Sequence, residues 1–199
     1  GKIGQCYGYQ HAGIDENGLL LILDNEGNKV PAAQADPAWK RNIGNGAPKH
    51  FLSWNNSVRY KNWDLSALFR SALGYKIFNM RKYGMGLKGC GTDNVLRTAY
   101  TDYDDILSGG GIISSYFLEN GNYFKLDNVT LGYSFTPKDR KILESVRVYL
   151  SAKNLFTLTA YEGNDPSVVN SNGITPGVDT NSAYPQATNL TLGVTVRFH

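Results

Sequence analysis

Residues 188–198 read TNLTLGVTVRF, and apolar side chains occupy every second position of this stretch. These apolar positions are Leu190, Leu192, Val194, Val196 and Phe198. Successive side chains of a β-strand point to opposite sides, so the spacing predicts a strand with one apolar and one polar face. Strands of globular domains average about 5–6 residues, whereas strands that cross a bilayer need about 9–11. The length of this stretch therefore favours a membrane-spanning strand.

Four earlier segments show the same alternation of apolar and polar residues: 51–61, 63–73, 128–135 and 146–158. Together with 188–198 they predict an all-β protein with five long antiparallel strands. A soluble β-sandwich that buries the apolar faces would show the same alternation, so periodicity alone leaves both architectures open. No helical pattern of comparable strength is present.

The connections between these segments alternate in length. The link at 61–62 is short, 75–122 is very long, 136–145 is shorter, and 159–187 is long again. Outer-membrane barrels alternate short periplasmic turns with long extracellular loops, whereas a compact soluble domain seldom contains such long connections. The order of the connections therefore predicts the strands of a transmembrane antiparallel β-barrel.

The composition excludes several other classes of protein. The 199 residues include 20 Lys and Arg and 17 Asp and Glu. The resulting formal charge of +3 is too small to predict nucleic-acid binding. No apolar run approaches the roughly 20 residues of a transmembrane helix. Cys6 and Cys90 lack the spacing of a metal site, and the three histidines have no partner at catalytic spacing. We therefore predict no catalytic site, no metal site and no cofactor.

Aromatic residues gather at the strand ends that flank the short connections. Amphipathic rings favour the headgroup level of a membrane, so this position predicts an interfacial girdle. The predicted girdle consists of Tyr60, Trp63, Tyr133, Phe135 and Phe198. The alternative is a set of core aromatic residues in a sandwich.

Further tyrosines lie in or beside the two long connections. Aromatic faces stack on sugar rings, so these loops suit the capture of a glycan or the docking of a lid protein. The candidate contact residues are Tyr83, Tyr100, Tyr103, Tyr161 and Tyr184. The residues support equally well the alternative that these tyrosines pack the loops together.

Several blocks of sequence match a known family in order along the chain. They are IGNGAPK at 43–49, YKNWDL at 60–65, FLENGNYFKLDNVTLGY at 117–133, SAKNLFT at 151–157 and YEGNDP at 161–166. These blocks resemble the SusC/RagA family of TonB-dependent outer-membrane transporters of Bacteroidetes. The resemblance covers nearly the whole chain. One departure is the terminus, because the family usually ends on an aromatic residue and here His199 follows Phe198.

The resemblance implies that residues 1–199 form the C-terminal part of one barrel domain of about 22 strands around a plugged lumen. Residues 1–50 would form a turn-rich hairpin region and link, and 51–199 the five long strands with two long extracellular loops. Most of the barrel, the plug and the segment that contacts TonB would lie outside these residues.

The resemblance also implies a function and a location. The expected activity is TonB-dependent uptake of oligosaccharides, or of peptides in some members, across the cell outer membrane. The expected partners are a SusD-like surface lipoprotein that acts as a lid, TonB through the missing N-terminal region, the substrate, and outer-membrane lipid. Neither enzymatic activity nor nucleic-acid binding is expected. The alternative function is that of a non-transporting, adhesin-like β domain on the cell surface.

Overall fold

The computed structural model describes residues 3–89, 94–101, 106–107, 111–137, 142–168, 175–180 and 184–198. The chain divides into two compact units that interleave along the sequence. The first, the strand unit, comprises His50–Ala72, Tyr123–Thr159 and Gln186–His199. The second, the connecting unit, comprises Gly1–Lys49, Leu73–Asn122 and Ala160–Pro185.

Strands dominate the described residues. In the order of the sequence, the strands and α-helices are β1 (Gln5–Gly8), β2 (His11–Ile14), β3 (Leu20–Leu23), β4 (Lys29–Pro31), β5 (Arg41–Asn45), β6 (His50–Tyr60), β7 (Trp63–Leu73), β8 (Lys76–Asn79), α1 (Met80–Met85), α2 (Thr98–Thr101), β9 (Leu118–Asn120), β10 (Tyr123–Phe135), β11 (Leu143–Thr159), β12 (Val178–Asp179) and β13 (Asn189–Phe198). Short 3-10 helices cover Ala32–Gln34, Pro37–Trp39, Ser115–Phe117 and Pro166–Val168. None of the helices in the described ranges is long and apolar enough to cross a membrane.

The strand unit contains one five-stranded sheet in the order β13-β11-β10-β7-β6. The pairings of β10 with β7, of β10 with β11 and of β11 with β13 are all antiparallel. These five strands are the five predicted from alternation, so the all-β prediction is confirmed. The sheet is open, with β6 and β13 at its edges, as in part of the wall of a larger barrel.

The two ends of the sheet carry different kinds of connection. Only Lys61 and Asn62 join β6 to β7, and Lys61 has a φ of 53°, as the tight turn of a two-residue hairpin requires. At the other end, Tyr123 pairs with both Ala72 and Thr159, so β7 and β11 finish there as β10 begins. The long connections therefore leave from the end opposite the short turns.

Two strands are longer than the sequence predicted. The alternation indicated 128–135 and 146–158, whereas β10 covers Tyr123–Phe135 and β11 covers Leu143–Thr159. Between β7 and β10 the register shifts, because Leu126 pairs with Phe69 and Asn128 with Leu68, which leaves Asp127 as a bulge. A bulge reverses the side to which the residues beyond it point, so the first residues of β10 are out of phase with the rest.

The connecting unit contains three small sheets, with strand orders β1-β5, β2-β3-β4 and β12-β8-β9. Its hydrophobic core includes Leu20 and Ile22 of β3, which are fully buried with Phe78 and Phe117. The apolar run at 19–23 thus contains β3 (Leu20–Leu23). Residues 75–122, expected as one long connection, contain β8, α1, α2 and β9.

Candidate functional site

One face of the strand unit, the apolar face, is built from rows of large hydrophobic side chains. Leu65, Leu131, Leu150 and Leu192 follow one another across β7, β10, β11 and β13 by direct pairing. They are between 42% and 74% exposed, with Leu192 the most exposed of the four. Exposed apolar area is unfavourable in water by roughly 25 cal/mol per Å², and a contiguous patch of this kind marks an interaction surface.

The opposite face, the polar face, carries charged residues that reach across strands. The Arg147 guanidinium on β11 binds the Asp64 carboxylate on β7 with two hydrogen bonds, of which Nε–Oδ1 measures 3.0 Å. The bridge passes over β10 at Gly132, where an added Cβ would lie 2.5 Å from Arg147 Nη2 and 2.6 Å from Asp64 Oδ1. The missing side chain of Gly132 is therefore what allows the ion pair to form.

The same row continues toward β13 through an aromatic ring. The Arg147 guanidinium lies 5.0 Å from the centre of the Tyr149 ring, a distance at which a cation and a ring attract one another. The ring in turn covers Gly193, where an added Cβ would lie 2.3 Å from ring carbon Cζ of Tyr149. The two glycines of the sheet thus accommodate one polar row from β7 to β13.

Polar side chains also pair elsewhere on the polar face. The hydroxyls of Thr130 and Ser151 lie 2.9 Å apart across β10 and β11. At the bulge, the Asp127 carboxylate lies 3.5 Å from Arg70 and 3.7 Å from Lys125. The sequence predicted a polar face, but Thr130 and Ser151 are far apart in the chain, as are Arg70 and Asp127, and no local pattern identified these pairs.

The five residues of the predicted girdle all lie at the short-turn end of the sheet and are exposed. Trp63 pairs directly with Tyr133, and their ring centres are 4.9 Å apart. Tyr133 also approaches Phe135, at 6.5 Å between ring centres. Tyr60 and Phe198 end the edge strands β6 and β13 at the same end. The structure therefore places the five together, and their role at an interface stays a prediction.

The predicted loop tyrosines fall into two groups. Tyr100 and Tyr184 are exposed, at 61% and 85%, and the Tyr100 ring has Lys88 Nζ 5.5 Å from its centre. Tyr83 packs instead against the core, with its ring centre 5.2 Å from that of Phe117. Tyr103 lies outside the described residues.

Tyr161 belongs with the packed group. It is 6% exposed, and its hydroxyl donates a hydrogen bond to the Asp179 carboxylate. The pKa of Tyr161 is raised well above its ordinary value. Burial is the main cause, and this hydrogen bond is the second. For Tyr83 and Tyr161 the contacts match the alternative in which tyrosines hold the connections together.

Few groups in the described residues have the surroundings of a reactive site. Cys6 is a free, half-buried thiol, and burial raises its pKa, which disfavours the reactive thiolate. Burial lowers the pKa of His11, which disfavours its charged form. The His11 and Tyr116 rings meet edge to face, with their centres 5.1 Å apart. Across the part of the chain that the structure describes, no three potential ligands gather around a metal position. Cys90 lies outside that part.

Known proteins are similar to this chain both in sequence and in fold. The chain is 27% identical over 225 residues to TonB-dependent receptor P3 of Formosa agariphila, covering 98% of the chain and 22% of that protein. It is 30% identical over 203 residues to TonB-dependent receptor SusC of Bacteroides thetaiotaomicron, covering 96% of the chain and 19% of that protein. The solved structure of the RagAB peptide importer in its closed-closed state superposes with a TM-score of 0.75 at 24% identity, over 96% of the chain and 23% of that structure.

The chain belongs to the SusC/RagA type of TonB-dependent receptors. It spans about a fifth of the length of the curated relatives it matches. No protein-family model matches the chain. The open sheet is accordingly part of a SusC/RagA barrel, and the relatives are named as TonB-dependent receptors and the solved neighbour as a peptide importer.

Proposed function

We propose that this chain forms part of the wall of an outer-membrane SusC/RagA transporter that takes up oligosaccharides or peptides with the help of TonB. The observation that carries the proposal is the contrast between the two faces of the five-stranded sheet. Leucines and aromatic rings are exposed on one face, whereas ion pairs and hydroxyls occupy the other. Lipid covers the first face and the polar lumen lies against the second.

The edges of the sheet support the same proposal. The edge strands β6 and β13 each have a row of backbone groups that this sheet leaves without a partner strand. Unpaired backbone groups in hydrocarbon cost several kcal/mol each, so further strands must continue the wall on both sides. We propose that residues 1–199 belong to one barrel domain, with 51–199 providing five strands and two extracellular loops.

The partners and the substrate class are also proposals. A SusD-like lipoprotein would close over the extracellular loops, where Tyr100 and Tyr184 are exposed for contact. TonB would act through a part of the receptor outside these residues. One relative is named for SusC and the solved neighbour for the import of peptides, so oligosaccharides and peptides both stay candidates.

The proposal is tested by uptake in cells that carry the intact receptor. We expect a strain with the receptor to accumulate a fluorescent oligosaccharide or peptide, and the same strain without TonB, or without the SusD-like lipoprotein, to lose this accumulation. Deletion of the receptor provides the matched background. Accumulation that is unchanged without TonB, or an absence of accumulation for every glycan and peptide in a broad panel, would contradict the proposal.

A further inference from the structure

An open cavity of about 360 Å³ lies within the connecting unit, next to the first residue of β8 and the last residue of β9. Its lining includes two lysines and three asparagines: Lys49, Lys76, Asn45, Asn120 and Asn122. Tyr75 also lines it, and the Tyr75 hydroxyl donates a hydrogen bond to the carbonyl of Pro166 at 3.3 Å. Cavities that hold small ligands measure about 300–1,000 Å³. We call it the donor cavity because its two ammonium groups can only donate hydrogen bonds and each asparagine oxygen already accepts one from a backbone N–H.

The two lysines carry charge that nothing in the cavity balances. No carboxylate lines the cavity, and within the described ranges neither Lys49 nor Lys76 forms an ion pair. Lys76 pairs with Asn120 across β8 and β9, so their side chains share one face. The aliphatic part of Lys49 lies along Gly74, where an added Cβ would come within 3.1–3.3 Å of its carbons.

Backbone contacts fix the orientation of the asparagines. The backbone N–H of Ala47 donates to Asn45 Oδ1 at 2.7 Å, and that of Asn122 donates to Asn120 Oδ1 at 3.1 Å. Asn122 Oδ1 accepts from the backbone N–H of Gly74 at 2.7 Å. Because a backbone N–H can only donate, the atom that faces it must be the oxygen of each amide. Asn45 and Asn120 therefore offer their NH₂ groups to a ligand.

A lining that consists of ammonium and amide donors selects a ligand that consists of acceptors. Carboxylates and sulfates accept several hydrogen bonds, and their bonds to ammonium groups are charge-assisted and strong. The hydroxyls of a sugar also accept hydrogen bonds from amide NH₂ groups. The O–H of such a hydroxyl rotates and can turn to the solvent of this open cavity. A peptide brings backbone N–H donors of fixed direction, and the asparagine oxygens that could accept from them each already bind one backbone N–H. The lining therefore favours an acidic sugar over an acidic peptide.

We propose that the donor cavity binds the acidic group, a carboxylate or a sulfate, of an oligosaccharide substrate. This inference rests on the proposed function of the receptor in uptake, and it narrows the substrate class to acidic glycans. The two lysines hold the anionic oxygens, while the amides of Asn45 and Asn120 bind neighbouring hydroxyls.

The experiment measures binding to the intact receptor purified in detergent, by isothermal titration calorimetry at low salt. The probes are tetragalacturonate, its fully methyl-esterified form, a galactose tetrasaccharide sulfate, and triglutamate as a peptide. The variant is K49Q combined with K76Q, and K29Q on β4 removes an exposed lysine elsewhere as the matched control. Unchanged heat-modifiable migration of each variant in gels verifies folding.

We expect the wild type and K29Q to bind at least one acidic saccharide at least tenfold more tightly than the neutral ester. In the double variant this preference should fall by about tenfold, because both charged donors are lost from an open, solvent-screened cavity. Whether tetragalacturonate or the sulfate shows the preference identifies the acidic group.

Several results would overturn the inference: equal binding of acid and ester, a preference unchanged in K49Q/K76Q, lysine-dependent binding of triglutamate alone, or no binding of any saccharide. These outcomes are separate from the test of transport. TonB-dependent uptake of a neutral glycan by K49Q/K76Q cells would leave the proposed function standing whatever the calorimetry shows. Lysine-dependent binding without TonB-dependent uptake would refute the transport proposal instead.

Discussion

Arginine in place of Val194 should destabilise the intact receptor far more than arginine at the next residue. Strand β13 covers Asn189–Phe198, and ten residues at about 3.3 Å each, tilted by about 40°, span about 25 Å. This equals the height of the apolar band of an outer-membrane barrel, so Val194 lies near its centre. Val194 pairs with Val148 on the apolar face and is 61% exposed.

A charge at this depth on the lipid side costs about 2–4 kcal/mol, because the guanidinium loses its water. The matched control is T195R, at nearly the same depth but on the polar face. Thr195 pairs with Arg147, so T195R introduces a like-charge contact of up to about 1 kcal/mol in a wet environment. We therefore expect V194R to cost at least 1 kcal/mol more than T195R.

The assay is urea unfolding of the intact receptor reconstituted in liposomes, followed by tryptophan fluorescence and by heat-modifiable migration. Both variants are compared with the wild type at the same lipid composition. Equal losses of unfolding free energy in V194R and T195R, or a larger loss in T195R, would refute the assignment of the apolar face to lipid.

Two further predictions concern specific contacts. Substitution of Gly132 by alanine should lower the free energy of unfolding by about 1–3 kcal/mol, because the new Cβ would overlap the bridge between Arg147 and Asp64; in an R147A background the same substitution should cost clearly less, and an unchanged cost would contradict the explanation. The raised pKa of Tyr161 means that the folded state keeps its phenol proton where the unfolded state loses it. Its contribution to stability should therefore be complete below about pH 10, the ordinary tyrosine pKa, and decline as the pH rises further. Melting temperatures between pH 8 and 11.5 should fall more steeply for the wild type than for Y161F, and parallel curves would exclude this role for the buried phenol of Tyr161.

The alternation of apolar and polar residues predicted a strand well wherever the apolar residues occupy only odd or only even positions along its whole length. This held for β6, β7 and β13, whose bounds differ from the predicted ones by about one residue at either end. In β10 the apolar residues Phe124 and Leu126 are even-numbered, whereas Val129 and Leu131 are odd-numbered. The bulge at Asp127 causes the change, and a bulge depends on pairing with neighbouring strands, which a single sequence does not show.

The location of a site residue could be predicted from the sequence only where its position within a strand determines where it lies in the fold. The girdle residues share one end of the sheet because each stands next to a short turn or a strand end. Tyr161 could not be assigned in the same way, since its burial depends on a partner 18 positions away, Asp179. The donor cavity was missed for a similar reason: Lys49 and Lys76 meet Asn120 only after folding, and no motif links them.

The central claim, that the apolar face of the sheet meets lipid, is tested most directly by a scan along β13. Single cysteines at 190–196 of the intact receptor would carry a nitroxide or an environment-sensitive dye in liposomes, with a lipid-soluble and a water-soluble quencher applied separately. We predict a period of two: strong access of the lipid-soluble quencher at Leu192, Val194 and Val196, and weak access at Thr191 and Thr195. A flat profile, or access at all positions by the water-soluble quencher alone, would contradict the membrane-spanning strand.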